Sequence, residues 1–128
     1  MVFIDTNYFL RFLLKDIKNQ HQEAKELIAD AAQGKLKVFT STIVFFEIYW
    51  VLSSYYGKNK TDLVSILQSL LNLSFIEMKE RLILENALEI FTGHNISLED
   101  SYNLTYAVKN EAEDFKTFDI KLYKLFTK

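Results

Sequence analysis

Four short strand-like runs, each followed by residues at helical spacing, narrow the folds open to this chain more than any other feature. Residues 1–4, 37–40, 75–78 and 114–119 read as strands, and apolar side chains recur between them at three- and four-residue intervals. Such alternation predicts βαβ units in an α/β fold, with a mostly parallel sheet covered by helices on both faces. The first run has no polar residue and is expected to be buried on both faces. Helices are expected after Asn7, over 21–32 with Gly34 as the stop, over 43–56, over 63–73, over 79–91, over 97–111 and from Ile120 onward. With 128 residues, no repeat and no linker, a single domain over 1–128 is expected.

The strand ends carry the chemistry. The first run stops at Asp5-Thr6-Asn7, and a carboxylate at the carboxyl end of a strand sits where open α/β sheets place their ligands. The fourth run ends in Asp119. Asp100 opens a helix three residues after Ser97, a capping-box spacing, with Glu99 as the rival acid about 100° round the same helix. Glu47 stands inside a segment, 43–52, that is apolar nearly all round; burial would make its charge costly unless it is paired or meets a cation. Each acid alone has a structural alternative: Asp5 and Asp119 as helix caps, Asp100 in its capping box, Glu47 in a salt bridge. Taken together, Asp5, Glu47, Asp100 and Asp119 are expected to converge on one edge of the sheet. Converging carboxylates repel, and a divalent cation is the simplest neutraliser. There is no cysteine, and His21 and His94 lie far apart. An oxygen-only ligand set selects Mg²⁺ or Mn²⁺. Such a centre suits phosphodiester hydrolysis by metal-activated water.

At this point the chain resembles the PIN-domain ribonucleases, and among them the compact VapC-like toxins of VapBC toxin–antitoxin pairs. The resemblance is carried by Ile4-Asp5-Thr6-Asn7, by Glu47 within 46–52, by Glu99-Asp100-Ser101 and by Thr117-Phe118-Asp119. It implies a three-layer α/β/α sandwich around a mostly parallel sheet of four short strands, or five. It also implies that Asp5, Glu47, Asp100 and Asp119 bind one or two Mg²⁺ or Mn²⁺ ions, supported by Thr6, Asn7 and Thr117. The activity implied is endonucleolytic cleavage of RNA, often tRNA or rRNA, leaving a 3′-hydroxyl and a 5′-phosphate. The partners implied are a cognate VapB-like antitoxin and a second copy in a homodimer. Two departures stand out: only residues 120–128 follow Asp119, which puts a fifth strand in doubt, and Tyr102, Asn103 and Tyr106 occupy positions where relatives often carry small apolar residues.

The net charge of −2 gives no global attraction to nucleic acid, so local cations must meet the RNA backbone. Arg11 and Lys116 are the favoured candidates because they lie close in sequence to site residues. The aromatic group Tyr49, Trp50, Tyr55 and Tyr56 is read as core or subunit interface rather than a base-stacking platform. The apolar N-terminus is interrupted by Asp5, Asn7 and Arg11, so it reads as neither a signal peptide nor a membrane span, and a cytoplasmic protein is expected. Three rivals compete with this reading, the first two with the sequence against them. A receiver-type phosphoacceptor needs an aspartate after the third strand, where this chain has Lys79-Glu80. A PIN fold kept only as an RNA- or protein-binding adaptor would be marked by loss of the acids. A housekeeping PIN nuclease without an antitoxin looks the same in sequence.

Overall fold

A computed structural model describes residues 1–128. Its contacts divide the chain into two compact units, Met1–Lys79 and Glu80–Lys128.

The first unit holds a three-stranded parallel sheet in the order β1 (Val2–Phe3), β2 (Val38–Phe39), β3 (Ile76–Glu77). Between β1 and β2 run α1 (Thr6–Leu14) and α2 (Lys18–Ala32); between β2 and β3 run α3 (Thr42–Trp50), a π-helical segment (Val51–Tyr55) and α4 (Lys60–Leu71). Helix α2 buries Ala24, Ile28 and Ala31, one stripe at four- and three-residue steps. Gly34, at φ 77°, takes the left-handed turn that lets the chain leave it. The core gathers Ile4, Phe9, Phe45, Ile48, Leu67 and Ile76, all at most 1% exposed.

Three expectations for this unit are corrected. β1 is an edge strand, so Val2 and Phe3 are 39% and 46% exposed and only Ile4 is buried. The helix expected over 43–56 changes character after Trp50. Tyr56 N donates to Val51 O at 3.1 Å, a five-residue step, and one wide turn replaces the last α-turns. The apolar helix is also not buried all round: Ile43 and Trp50 are 71% and 61% exposed, and Glu47 lies exposed between them. These three positions, four and three residues apart, form the outward stripe of α3.

The second unit is helical: α5 (Arg81–Gly93), α6 (Leu98–Lys109) and α7 (Ile120–Thr127). Helix α5 packs along α6 and buries Ile83, Leu84, Ala87, Leu88 and Phe91. On α6 the buried hydroxyls turn back onto their own helix, Ser101 Oγ donating to Ser97 O and Thr105 Oγ1 to Ser101 O, each at 2.9 Å. The fourth strand is absent, and the sheet has three strands rather than four or five. Residues 114–118 satisfy their polar groups locally instead. Asp114 Oδ1 accepts from Phe115 N at 2.8 Å and from the Tyr123 hydroxyl at 3.2 Å, and Asp119 N donates to Thr117 Oγ1 at 3.0 Å. No helix of the chain is long and apolar enough to cross a membrane.

Candidate active site

The parallel register of the sheet places the starts of α1 and α3 side by side. Ile4 N donates to Phe39 O at 2.9 Å, and the Thr40 hydroxyl donates back to Ile4 O at 2.8 Å. Asp5 and Ser41, the residues after that clasp, are therefore neighbours at the carboxyl edge, and each caps a helix. Asp5 Oδ1 accepts from Thr6 N at 2.7 Å, and Ser41 Oγ accepts from Val44 N at 3.2 Å. One oxygen of Asp5 is thus committed to the fold, and the carboxylate is exposed to solvent. Asn7 is exposed beside it. Thr6 is buried, and its Oγ1 has no hydrogen-bond partner. A buried hydroxyl without a partner is uncommon and costs about 1–3 kcal/mol. Glu47 lies six residues after Ser41, about a turn and a half along α3. Its exposure overturns the argument from a buried charge.

In the second unit Ser97 Oγ accepts from Asp100 N at 3.0 Å, which is the capping contact the spacing implied. Asp100 is half-buried and Glu99 exposed. Asp119 Oδ1 caps α7, accepting from Leu122 N at 3.0 Å, while Thr117 orients Asp119 through its backbone amide. Two of the four acids belong to each unit, and nowhere do three or more acid or histidine side chains form a group set to hold a metal ion.

Both favoured cations are already paired. Arg11 Nη1 meets Asp16 Oδ1 at 2.8 Å, and Tyr56, set by the wide turn, donates to the same carboxylate at 3.3 Å. Lys116 Nζ meets Asp114 Oδ2 at 2.7 Å on the surface. That contact draws the Asp114 carboxyl below its usual range and lifts the Lys116 ammonium above its own. The histidines take no part at the acids: His21 Nδ1 lies 3.0 Å from Arg11 O and His94 Nδ1 3.1 Å from Ile90 O.

Two hydrogen-bonded tyrosines and two pockets stand beside these predicted residues. Asn7, Tyr8, Arg11, Gln20, Glu23 and Ala24 line an open pocket of about 300 Å³ between α1 and α2. Across it the Tyr8 hydroxyl donates to Glu23 Oε2 at 2.7 Å, a bond that raises the phenol above its ordinary pKa. On α6 the Tyr102 hydroxyl donates to Glu80 Oε1 at 2.9 Å; burial first, then that bond, pushes the phenol up to about 12. Tyr102 also stacks on Tyr106, so the two unusual aromatics of α6 form one packed pair. A larger, mostly apolar pocket of about 530 Å³, lined in part by Ile90, Leu104, Leu125 and Phe126, contains none of the four acids. Chemically, the carboxyl edge of the sheet offers an exposed carboxylate, an exposed carboxamide and an unsatisfied hydroxyl within three consecutive residues.

The PIN domain family matches the chain over residues 2–126. No curated protein and no solved structure matches it.

Proposed function

Because the chain belongs to the PIN-domain family, whose members are generally nucleases, we propose that it is a Mg²⁺- or Mn²⁺-dependent endoribonuclease acting as the toxin of a VapBC-type pair. The family match supports reading both units as parts of one PIN domain with the family's three-layer α/β/α architecture. The observation that carries the nuclease reading is Asp5 at the carboxyl edge of the parallel sheet, next to the buried, unpartnered Thr6 hydroxyl. A buried oxygen without a partner marks the position beside that exposed carboxylate as one whose hydrogen bonding the fold alone does not satisfy.

The residues fit a hard divalent cation by donor type: carboxylates and hydroxyls, no thiol, and both histidines engaged at backbone carbonyls. In this proposal Asp5, Glu47, Asp100 and Asp119 hold the ion. When bound, it supplies an activated water and charge stabilisation at the leaving oxygen. Asp5 offers its second oxygen, since its Oδ1 is tied to Thr6 N. Thr6 and Asn7 hydrogen-bond the substrate phosphate or the carboxylates, and Thr117 holds Asp119 in place. Water adds to phosphorus, the P–O3′ bond breaks, and the 3′-oxygen takes a proton, leaving a 3′-hydroxyl and a 5′-phosphate. Arg11 and Lys116 reach the RNA backbone only by exchanging their present carboxylate partners, so their contribution is modest. A VapB-like antitoxin lays a segment over the acids, and the exposed Ile43 and Trp50 of α3 support a homodimer contact.

The test is cleavage of tRNA and rRNA by the purified chain in Mg²⁺, Mn²⁺ or EDTA, beside Asp5→Asn and Asp100→Asn. Metal-dependent cleavage lost in both variants is the expected result. Cleavage that survives both substitutions defeats the proposal, and RNA binding without cleavage would favour the adaptor. Pull-down with the product of a small adjacent gene separates the toxin from a housekeeping nuclease.

A further inference from the structure

The pocket between α1 and α2 has a chemistry that the acids do not use. Its volume of about 300 Å³ is at the lower limit of small-molecule sites and has room for one planar heterocycle. Asn7 on its wall is two residues from Asp5, and Arg11 is one turn, about 5 Å, further along α1. The pocket therefore shares the first turns of α1 with the proposed reaction centre. Its charged groups are held by partners. Glu23 is fixed by the Tyr8 hydroxyl at 2.7 Å, and the Arg11 charge is met by Asp16 at 2.8 Å. That leaves Glu23 as the one carboxylate facing a ligand, flanked by the Asn7 and Gln20 carboxamides, which both donate and accept. The buried Ala24 forms an apolar floor.

We propose, resting on the ribonuclease reading, that this pocket is a nucleobase subsite that takes a guanine flanking the scissile phosphate. Guanine alone among the four RNA bases sets two adjacent N–H donors, N1–H and the exocyclic amino group, against a carboxylate. Glu23 accepts from both. The O6 and N7 acceptors of the same base face the carboxamides, and the Tyr8 ring gives a stacking surface. Adenine and cytosine place a ring acceptor where guanine has N1–H, and uracil has a single donor between two oxygens. The rival occupant is an arginine side chain from a protein partner, which a carboxylate also accepts in a two-pronged bond.

Calorimetry on the full chain in EDTA, where nothing is cut, decides between them. The probes are guanosine, inosine and adenosine 5′-monophosphates and N-acetylarginine amide. Guanosine monophosphate is expected to bind roughly tenfold tighter than inosine monophosphate, which lacks the amino group, with adenosine weaker still. Glu23→Gln removes that preference. Tyr8→Phe keeps the ring, releases the carboxylate and weakens the guanine nucleotide severalfold. No preference for guanine in the unmodified chain overturns the assignment, and so does arginine amide binding as tightly with the same loss in Glu23→Gln. Metal-dependent cleavage without guanine preference defeats only the subsite. Guanine preference without any cleavage supports the subsite and defeats the nuclease.

Discussion

Replacing Thr6 by Val separates what the edge of the sheet does for the fold from what it does for a ligand. Thr6 is 7% exposed, and its Oγ1 is buried without a partner. In the unfolded chain that hydroxyl is hydrated, so folding forfeits a hydrogen bond and gains none. The penalty for such a group is about 1–3 kcal/mol. Valine has the same branched shape and puts a methyl group in the hydroxyl's place, and the two residues differ little in helix propensity. The Asp5 cap is untouched because it uses the backbone amide of residue 6. Thr6→Val is therefore expected to stabilise the chain by about 1–2 kcal/mol, which corresponds to a rise in melting temperature of roughly 3–8 °C. Urea titration measures this directly, with an unchanged m-value and a higher midpoint. Under the proposed function the same variant is expected to lower RNA cleavage, because a ligand that uncovers this position then finds a methyl group in place of the hydroxyl. A stability loss above about 1 kcal/mol would refute the reasoning, since it would mean that the hydroxyl is satisfied in the folded chain. Higher stability with undiminished cleavage would leave the hydroxyl a mere packing defect.

Glu47→Gln is expected to change stability by less than about 0.5 kcal/mol, because the side chain is exposed; under the proposed function it abolishes metal-dependent cleavage, and a large stability change in urea would restore the buried-charge account. Ser97→Ala removes the acceptor of Asp100 N and should cost about 1 kcal/mol in urea titration, with Ser97→Asp recovering most of it; a neutral alanine variant would show the cap to be idle. At alkaline pH Tyr102 keeps its proton up to about 12 in the folded chain while its unfolded counterpart ionises near 10. The unfolded state then binds fewer protons, so this contribution to stability is full below pH 10 and falls between pH 10 and 12. Tyr102→Phe should flatten that decline and delete the latest step of the tyrosinate absorbance titration; an unchanged titration would refute the Glu80 contact.

The α/β class, the parallel pairing and most helices were legible because they rest on period and punctuation. The stripe of α2, Gly34 after it and Ser41 before α3 are local signals that local physics honours. What failed depends on neighbours. Residues 1–4 read as a buried strand because apolar composition is the same for centre and edge, yet β1 has a partner on one side only. Residues 114–119 alternate aromatic and polar side chains as a strand does. They also contain Asp114, Thr117 and Asp119, whose oxygens capture nearby N–H groups and offer the backbone a competing arrangement. The wide turn at Val51–Tyr55 left no trace in a run of apolar and small residues, since one inserted position in such a run preserves the pattern on either side.

The site shows the same division. Asp5, Asp100 and Asp119 stand where their sequence context put them, each at the start of a helix, because capping geometry is decided within four residues. Their caps do not compete with a functional role: Asp5 and Asp119 each spend one carboxylate oxygen on a backbone amide, and Asp100 spends only its backbone N–H. Glu47 was singled out for a reason that fails, since the face expected to be buried is the outward stripe of α3. The case for it now runs the other way. An exposed carboxylate is readily hydrated and needs no partner, so nothing in the fold holds Glu47 to its identity. What marks it is its setting between Ile43 and Trp50, two large apolar side chains that are 71% and 61% exposed. Under the proposed function this face is where Glu47 meets the ion and its two apolar neighbours meet a second copy of the chain.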